Sequence, residues 1–378
     1  MSSVYNNRLR ILIVPDKFKG TLTALSAAEA IKKGWKKARR QDFCEVLPMS
    51  DGGDGFGEVV SRLLNCRTVI INSVDASHTP RRVKYWWNQR QKIAVVESAR
   101  VIGLAMLPAE KQNPLELDTF GLGIVLKKIF LKKPTKIFIG IGGSATNDGG
   151  FGMARALGWK FCDRYGNEIH HWTGLSKLES IKPPAKNLIT GEVIVAVDVQ
   201  NKILGKKGCS RIYGPQKGLK KEEIPLAESF LKRLVKIAEK DLNKNFNETP
   251  GSGAAGGLGY GLMTFVGAKP VSGFKLFSQL SGLENRIKNC DIIITGEGSI
   301  DASTAMGKGV GEIAKLCKKH GKICIGLAGR VSNPDEIKKC FNKTLSLLEL
   351  TEFENAQKNA VYWLEILAEN AAKNLNYE

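Results

Sequence analysis

The stretch Ile11-Leu12-Ile13-Val14-Pro15-Asp16-Lys17-Phe18-Lys19-Gly20-Thr21 decides the fold class. Four consecutive aliphatic residues read as a strand buried on both faces, as in a parallel sheet; a half-exposed strand would alternate. A helix follows, with Ser26 and Glu29 spaced as a capping box and apolar Ala27, Ala30, Ile31 and Trp35 along it. A second strand near Cys44–Leu47 then opens into Pro48-Met49-Ser50-Asp51-Gly52-Gly53-Asp54-Gly55. Strand, helix, strand, with a polar loop after each strand, begins a β-α-β fold.

The same grammar closes the chain. Asp291–Ile294 reads as a strand running into Thr295-Gly296-Glu297-Gly298-Ser299-Ile300-Asp301, and a helix is expected over Val310–His320. Further strands are expected at Lys322–Leu327 and Thr344–Leu350, before an amphipathic C-terminal helix carrying Ala360, Trp363, Leu364 and Leu367. Two strands at the start and three at the end predict one five-stranded, doubly wound parallel sheet. That domain is discontinuous, 1–68 and 286–378, around an inserted mixed α/β domain at 69–285. In the insertion Lys84–Gln89 and Lys92–Glu97 read as a hairpin.

The insertion also holds Ile139-Gly140-Ile141-Gly142-Gly143-Ser144-Ala145-Thr146-Asn147-Asp148-Gly149-Gly150, between the β-type run Lys136–Ile139 and the helix-compatible Phe151–Leu157. Strand, glycine-rich turn and helix start aim backbone N–H groups at an anion. A phosphorylated ligand is the expectation.

Acids recur at the carboxyl ends of expected strands: Asp16, Asp51, Asp198 after Val193–Val197, and Glu297 with Asp301. Ligands of open α/β sheets bind at that edge. Carboxylates around a phosphate can hold Mg²⁺ or accept a proton from an attacking hydroxyl. Lys19, Lys217 in Gly214-Pro215-Gln216-Lys217-Gly218 and Lys308 in Gly307-Lys308-Gly309 are the matching basic groups, read as phosphate clamps.

Other patterns point elsewhere or nowhere. Gly251-Ser252-Gly253-Ala254-Ala255-Gly256 matches a dinucleotide fingerprint but follows no strand. Gly140–Ala145 follows one and leaves NAD open, while no Walker A loop is present. No G-x-S-x-G elbow appears, and His170-His171 lacks metal-ligand spacing. Eight cysteines show no C-x-x-C pair, which fits free thiols in a reducing compartment. The polar start and short apolar runs predict neither a signal peptide nor a membrane span, so a cytoplasmic location is expected. The net charge of +20 is spread over scattered lysines, so nucleic acid is not the expected partner. Dimerisation stays open.

These blocks resemble the type I glycerate kinases, the bacterial glycerate 2-kinase family, over nearly the whole chain. The matching stretches are Pro15–Ala24, Pro48–Gly55, Gln112–Leu115, Gly140–Gly150, Asp198–Asn201, Gly214–Gly218, Gly251–Gly259 and Ile294–Gly298. The resemblance implies a flavodoxin-like discontinuous domain and an inserted mixed α/β domain. It further implies phosphorylation of D-glycerate by ATP, most members giving 2-phospho-D-glycerate, here in a cleft between the domains. The sequence departs from the family at Ser299, where an arginine is usual, at Met306, where a histidine is usual, at Leu117–Gly123, and at Gln200 in place of an acid. Those departures keep open a kinase for another small hydroxy acid, or a non-catalytic nucleotide-binding or phosphate-binding protein.

The expected roles follow. Asp198 accepts the hydroxyl proton and Lys19 acts with it in catalysis. Asp51, Asp54 and Glu297 hold Mg²⁺ or its water shell. Asp16, Lys19, Gly20, Gly52, Gly53, Gly142, Gly143, Ser144, Thr146, Asn147, Lys217, Gly296, Gly298, Asp301 and Lys308 bind phosphate or substrate carboxylate. The sequence allows these roles to be permuted among the acids.

Overall fold

The computed structural model describes residues 8–305, 309–332, 337 and 339–375. The chain divides into two compact units, Met1–Asp51 with Phe274–Glu378, and Gly52–Gly273. Both divisions fall earlier than the 68/69 and 285/286 boundaries expected from sequence. The reason is packing. The helix Phe56–Leu63 lies against strands of the second unit, and the helix Leu283–Lys288 lies against Gly309–Lys319 of the first.

Strands are numbered in chain order. The first unit contains β1 (Arg10–Pro15), β2 (Phe43–Val46), β11 (Ile292–Ile300), β12 (Ile323–Val331) and β13 (Lys343–Ser346). They form one all-parallel sheet in the order β2-β1-β11-β12-β13, the doubly wound flavodoxin-like order. Ile11, Ile13, Ile292, Ile294, Ile325 and Leu327 pack on Ile31 and Trp35 of the helix Ala24–Ala38 and on Leu364 and Leu367 of the helix Ala360–Lys373. The alternate residues Leu12, Ile293 and Cys324 point to the other face and are also buried. Two covered faces explain the unbroken aliphatic runs.

Two local expectations need correction. The first helix starts at Ala24 with Thr23 as its cap, the Thr23 hydroxyl accepting from Ser26 N–H at 3.1 Å, so Ser26 and Glu29 form no capping box. Strand β11 does not stop at Ile294. It continues through Glu297 to Ile300, still paired with β12 at Ser299↔Arg330 and Ile300↔Val331.

The second unit is built on β3 (Arg67–Val74), β4 (Pro80–Asn88), β5 (Ile93–Glu97), β6 (Lys136–Gly140), β9 (Glu192–Ala196) and β10 (Lys269–Val271). Their order is β10-β9-β6-β5-β4-β3, parallel from β10 to β5 and antiparallel from β5 to β3. β4 and β5 are the expected hairpin. β7 (Lys160–Cys162) and β8 (Ser180–Lys182) pair as a separate ribbon. All eight cysteines are free thiols. Among the described residues no helix is long and apolar enough to cross a membrane.

Candidate functional site

In the first unit β1 and β11 are neighbours while their outer partners, β2 and β12, lie on opposite sides. This is the topological switch point, where open α/β sheets bind ligands. Asp16 follows β1, its N–H donating to Gly296 O at 2.8 Å and its Oδ1 accepting from Lys17 N–H at 2.7 Å. Glu297 Oε1 accepts from the Thr304 hydroxyl at 2.8 Å, and that hydroxyl accepts from Asp301 N–H at 3.2 Å. Asp51 follows β2, in a loop held by Met49 N–H on Pro15 O at 2.9 Å. Burial and the charge of Asp51 push the Asp16 carboxyl up to about 7, Glu297 adding to the push and the Lys17 N–H and charge opposing it. Lys19 and Gly20 are exposed just beyond Asp16. Lys308 lies outside the described residues.

In the second unit four parallel strands end in register: Glu97↔Gly140, Gly140↔Ala196 and Ala196↔Val271. The glycine-rich turn, Asp198 and Ser272 thereby reach one edge. Asp198 is exposed, and its Oδ1 accepts from Gly273 N–H at 2.9 Å and from the Ser272 hydroxyl at 3.3 Å. Its Oδ2 faces Gly52, 3.2 Å from where a Cβ would stand. Gly142 N–H meets Gly52 O at 3.4 Å, and a Cβ on Gly142 would stand 2.6 Å from Gly53 Cα. Asp54 Oδ1 lies against Gly143 so closely that any side chain there would collide with it. Gly52, Gly53, Asp54, Gly142, Gly143 and Asp198 thus share one patch.

The rest of the glycine-rich turn is interior. Ser144 is almost buried and Thr146, Asn147 and Asp148 are fully so. The helix after it, Phe151–Ala156, does point N–H groups at an anion, but the anion is Asp148 itself. That carboxylate accepts from Gly150 N–H (3.2 Å), Gly152 N–H (2.9 Å), Thr119 N–H (2.9 Å) and the Thr119 hydroxyl (2.7 Å). Burial, with the charge of Asp118, raises its pKa to about 6. The surface-facing part of the turn is therefore Gly142–Gly143.

Lys217 departs from its expected setting as well. Its ammonium is buried and donates to Thr146 O at 2.6 Å, and burial lowers its pKa to about 8. It holds the turn's backbone from behind. Asn147 does likewise, its Nδ2 donating to the Ser210 hydroxyl at 2.8 Å.

The sequence assigns no role in the site to two further parts. Gly251–Gly256, no dinucleotide fingerprint but part of the matching block Gly251–Gly259, packs on the turn: Gly149 N–H donates to Gly256 O at 3.1 Å, and Ala255, Gly256 and Gly257 are all left-handed. Glu97 also went unnoticed, although an acid ending a strand was the signal that found Asp198.

Among the described residues no group of three or more His, Cys, Asp or Glu is gathered closely enough to hold a metal ion. Asp54 also belongs to the second unit, whereas Asp51 and Glu297 belong to the first.

A model of the glycerate kinase family matches residues 11–376. The chain belongs to the glycerate kinase family. It is 34% identical to the glycerate kinase of Halalkalibacterium halodurans over 97% of both chains. It is 36% identical to the glycerate 2-kinase of Escherichia coli over 86% of each. A crystal structure from Salmonella typhimurium LT2, of a chain provisionally designated glycerate kinase 2, superposes with a TM-score of 0.83 at 33% identity, covering 97% of this chain and 98% of that one. The family is one of kinases, so the phosphate-directed reading of the two acidic edges and the glycine turn has a chemical context.

Proposed function

We propose that this chain phosphorylates D-glycerate with ATP and Mg²⁺, giving 2-phospho-D-glycerate. The observation that carries the reading is the shared edge of the second unit. There the Asp198 carboxylate faces Gly52, the Asp54 carboxylate lies against Gly143, and the backbones of Gly53 and Gly142 pack closely beside them. Backbone of that kind approaches phosphate or carboxylate oxygens closely. Asp198 is the proton acceptor for the attacking hydroxyl: Ser272 and Gly273 fix Oδ1, which orients Oδ2.

Family membership implies ATP as the donor. Mg²⁺ fits the first unit in the usual way for this ion, through one or two carboxylates with water and phosphate oxygens completing the shell. Asp51 and Glu297 would supply those carboxylates; the charges of both reach Asp16, adding to the rise that burial causes there. When bound, Mg²⁺ would offset the phosphate charge. Lys19 on the exposed loop and the Gly296–Gly298 backbone would lie against phosphate oxygens. Phosphoryl transfer asks for little covalent chemistry, so orientation and charge placement carry the rate. Expected as a cytoplasmic enzyme, the chain needs no lipid or nucleic-acid partner for this reaction.

The test is ³¹P NMR of the products from ATP, Mg²⁺ and D-glycerate, run on the natural chain and on Asp198→Asn. A phosphomonoester coupled to one carbinol proton marks the 2-position; coupling to a CH₂ pair marks the 3-position. Asp198→Asn should slow turnover about 10²–10⁴-fold, as for loss of a general base. Absence of any glycerate ester from the natural chain would refute the assignment. A second acid in place of glycerate stays in view because Ser299 stands where the family usually has an arginine; among the described residues its buried hydroxyl has no hydrogen-bond partner. Hydroxypyruvate and tartronate belong in the same assay.

A further inference from the structure

We propose that Glu97 is a positioning residue, holding the turn that carries Asp54 against Gly142–Gly143; this rests on the kinase reading above. Glu97 ends β5 and is only 2% exposed. Its Oε2 accepts from Gly57 N–H at 2.8 Å and its Oε1 from Gly55 N–H at 3.2 Å, with Arg100 Nε 3.4 Å from Oε1. These N–H groups open the helix Phe56–Leu63, whose capping position, Gly55, has no side chain to do the work. Orphan N–H groups at a helix start require an acceptor and favour a negative one. Glu97 supplies it from a different strand. The same carboxylate therefore ties the end of β5 to Gly55 and Gly57, just after Gly52-Gly53-Asp54. Phe56 N–H between them donates back to Gly53 O at 3.1 Å, while register pairing ties Glu97 to Gly140 at the root of the glycine turn.

The surroundings leave little slack. A Cβ at Gly57 would run into the Trp86 ring, and one at Gly140 into Phe56. Arg100 also pairs with Glu58 at 3.1 Å, one turn into the helix. Glu97 bonds the helix where its first turn meets the sheet edge. Burial raises the Glu97 carboxyl, and the Gly57 N–H, Arg100 and the Gly55 N–H pull it back towards its ionised form. An amide at this position keeps the shape but presents N–H to N–H at one of the two bonds.

Glu97→Gln decides the matter through three measurements on the whole chain: kcat and KM separately, melting temperature, and amide hydrogen exchange over 52–57 and 140–144. A positioning role lowers kcat at least tenfold, well below the melting temperature, and raises exchange in both segments. Glu97→Ala then gives the larger kcat loss. A pure helix cap lowers the melting temperature and raises exchange only within 55–59, with kcat and KM as in the natural chain. Unchanged kcat overturns the proposal whatever the exchange shows. Should the natural chain phosphorylate no acid, the kinase reading falls separately. Exchange at 140–144 then judges the placement alone, and exchange confined to 55–59 overturns it. If Glu97→Gln fails to fold, Arg100→Gln removes one bond to the same carboxylate, and a smaller kcat loss in the same direction is expected; none overturns the proposal.

Discussion

Lys217 shows how much a single residue's setting matters. By sequence, a lysine between glutamine and glycine in a loop reads as a phosphate clamp. In the structure its ammonium is buried beneath the glycine turn and bound to Thr146 O. Burial favours the neutral amine, and its pKa drops from 10.5 to about 8. The folded form thus releases a proton more readily than the unfolded chain. This contribution is fully present above 10.5 and is lost as pH falls through about 8. Between those limits the natural chain should gain stability as pH rises, by up to about 3 kcal/mol at 1.36 kcal/mol per pKa unit. Lys217→Met should flatten that part of the curve, as read by urea unfolding at several pH values. Parallel curves for the two chains would show that the burial does not weigh on folding.

At the scale of elements, two glycine-rich turns form one packing unit. The segment after Gly251 winds through three left-handed residues against the back of Thr146–Gly150. Gly256 has φ +69°, and a Cβ there would strike Thr146 O. Gly256→Ala should therefore cost about 1–3 kcal/mol of strain, with the clash added, measured by chemical denaturation. Because the contact is with Thr146 and Gly149, in the same turn that begins at Gly142–Gly143, turnover should fall as well. A variant with natural stability would mean the two turns separate without cost. The element-level misreadings have related causes. Glycines punctuate a sequence and suggest that β11 ends at Ile294, yet its ladder to β12 continues through Glu297 to Ile300. Ser26 and Glu29 carry the capping spacing, but Thr23 three residues earlier reaches the free N–H first.

At the scale of the whole molecule, the chain leaves the first unit after Asp51 and re-enters it at Phe274. The early boundary assigns the helix Phe56–Leu63 to the second unit and splits the acidic run, so Asp51 and Asp54 fall in different units. Spacing alone cannot show this: the residues lie three apart, and their separation depends on where each flank finds its core. The net charge of +20 belongs to this scale too. It concerns long-range attraction of anions and takes no part in specifying the fold.

The sequence by itself determined the sheet of the first unit, because buried strands must be continuously apolar and that pattern is local. It also singled out the strand ends as candidate ligand edges, since acids and glycines at the carboxyl ends of strands need no distant information to be noticed. Only the tertiary structure decided which of those groups face outward. Asp148 and Lys217 lie inside, and Glu97 caps a helix forty residues away in sequence. Burial and hydrogen-bond partnership are set by chain segments far apart along the polypeptide, and no local pattern encodes them.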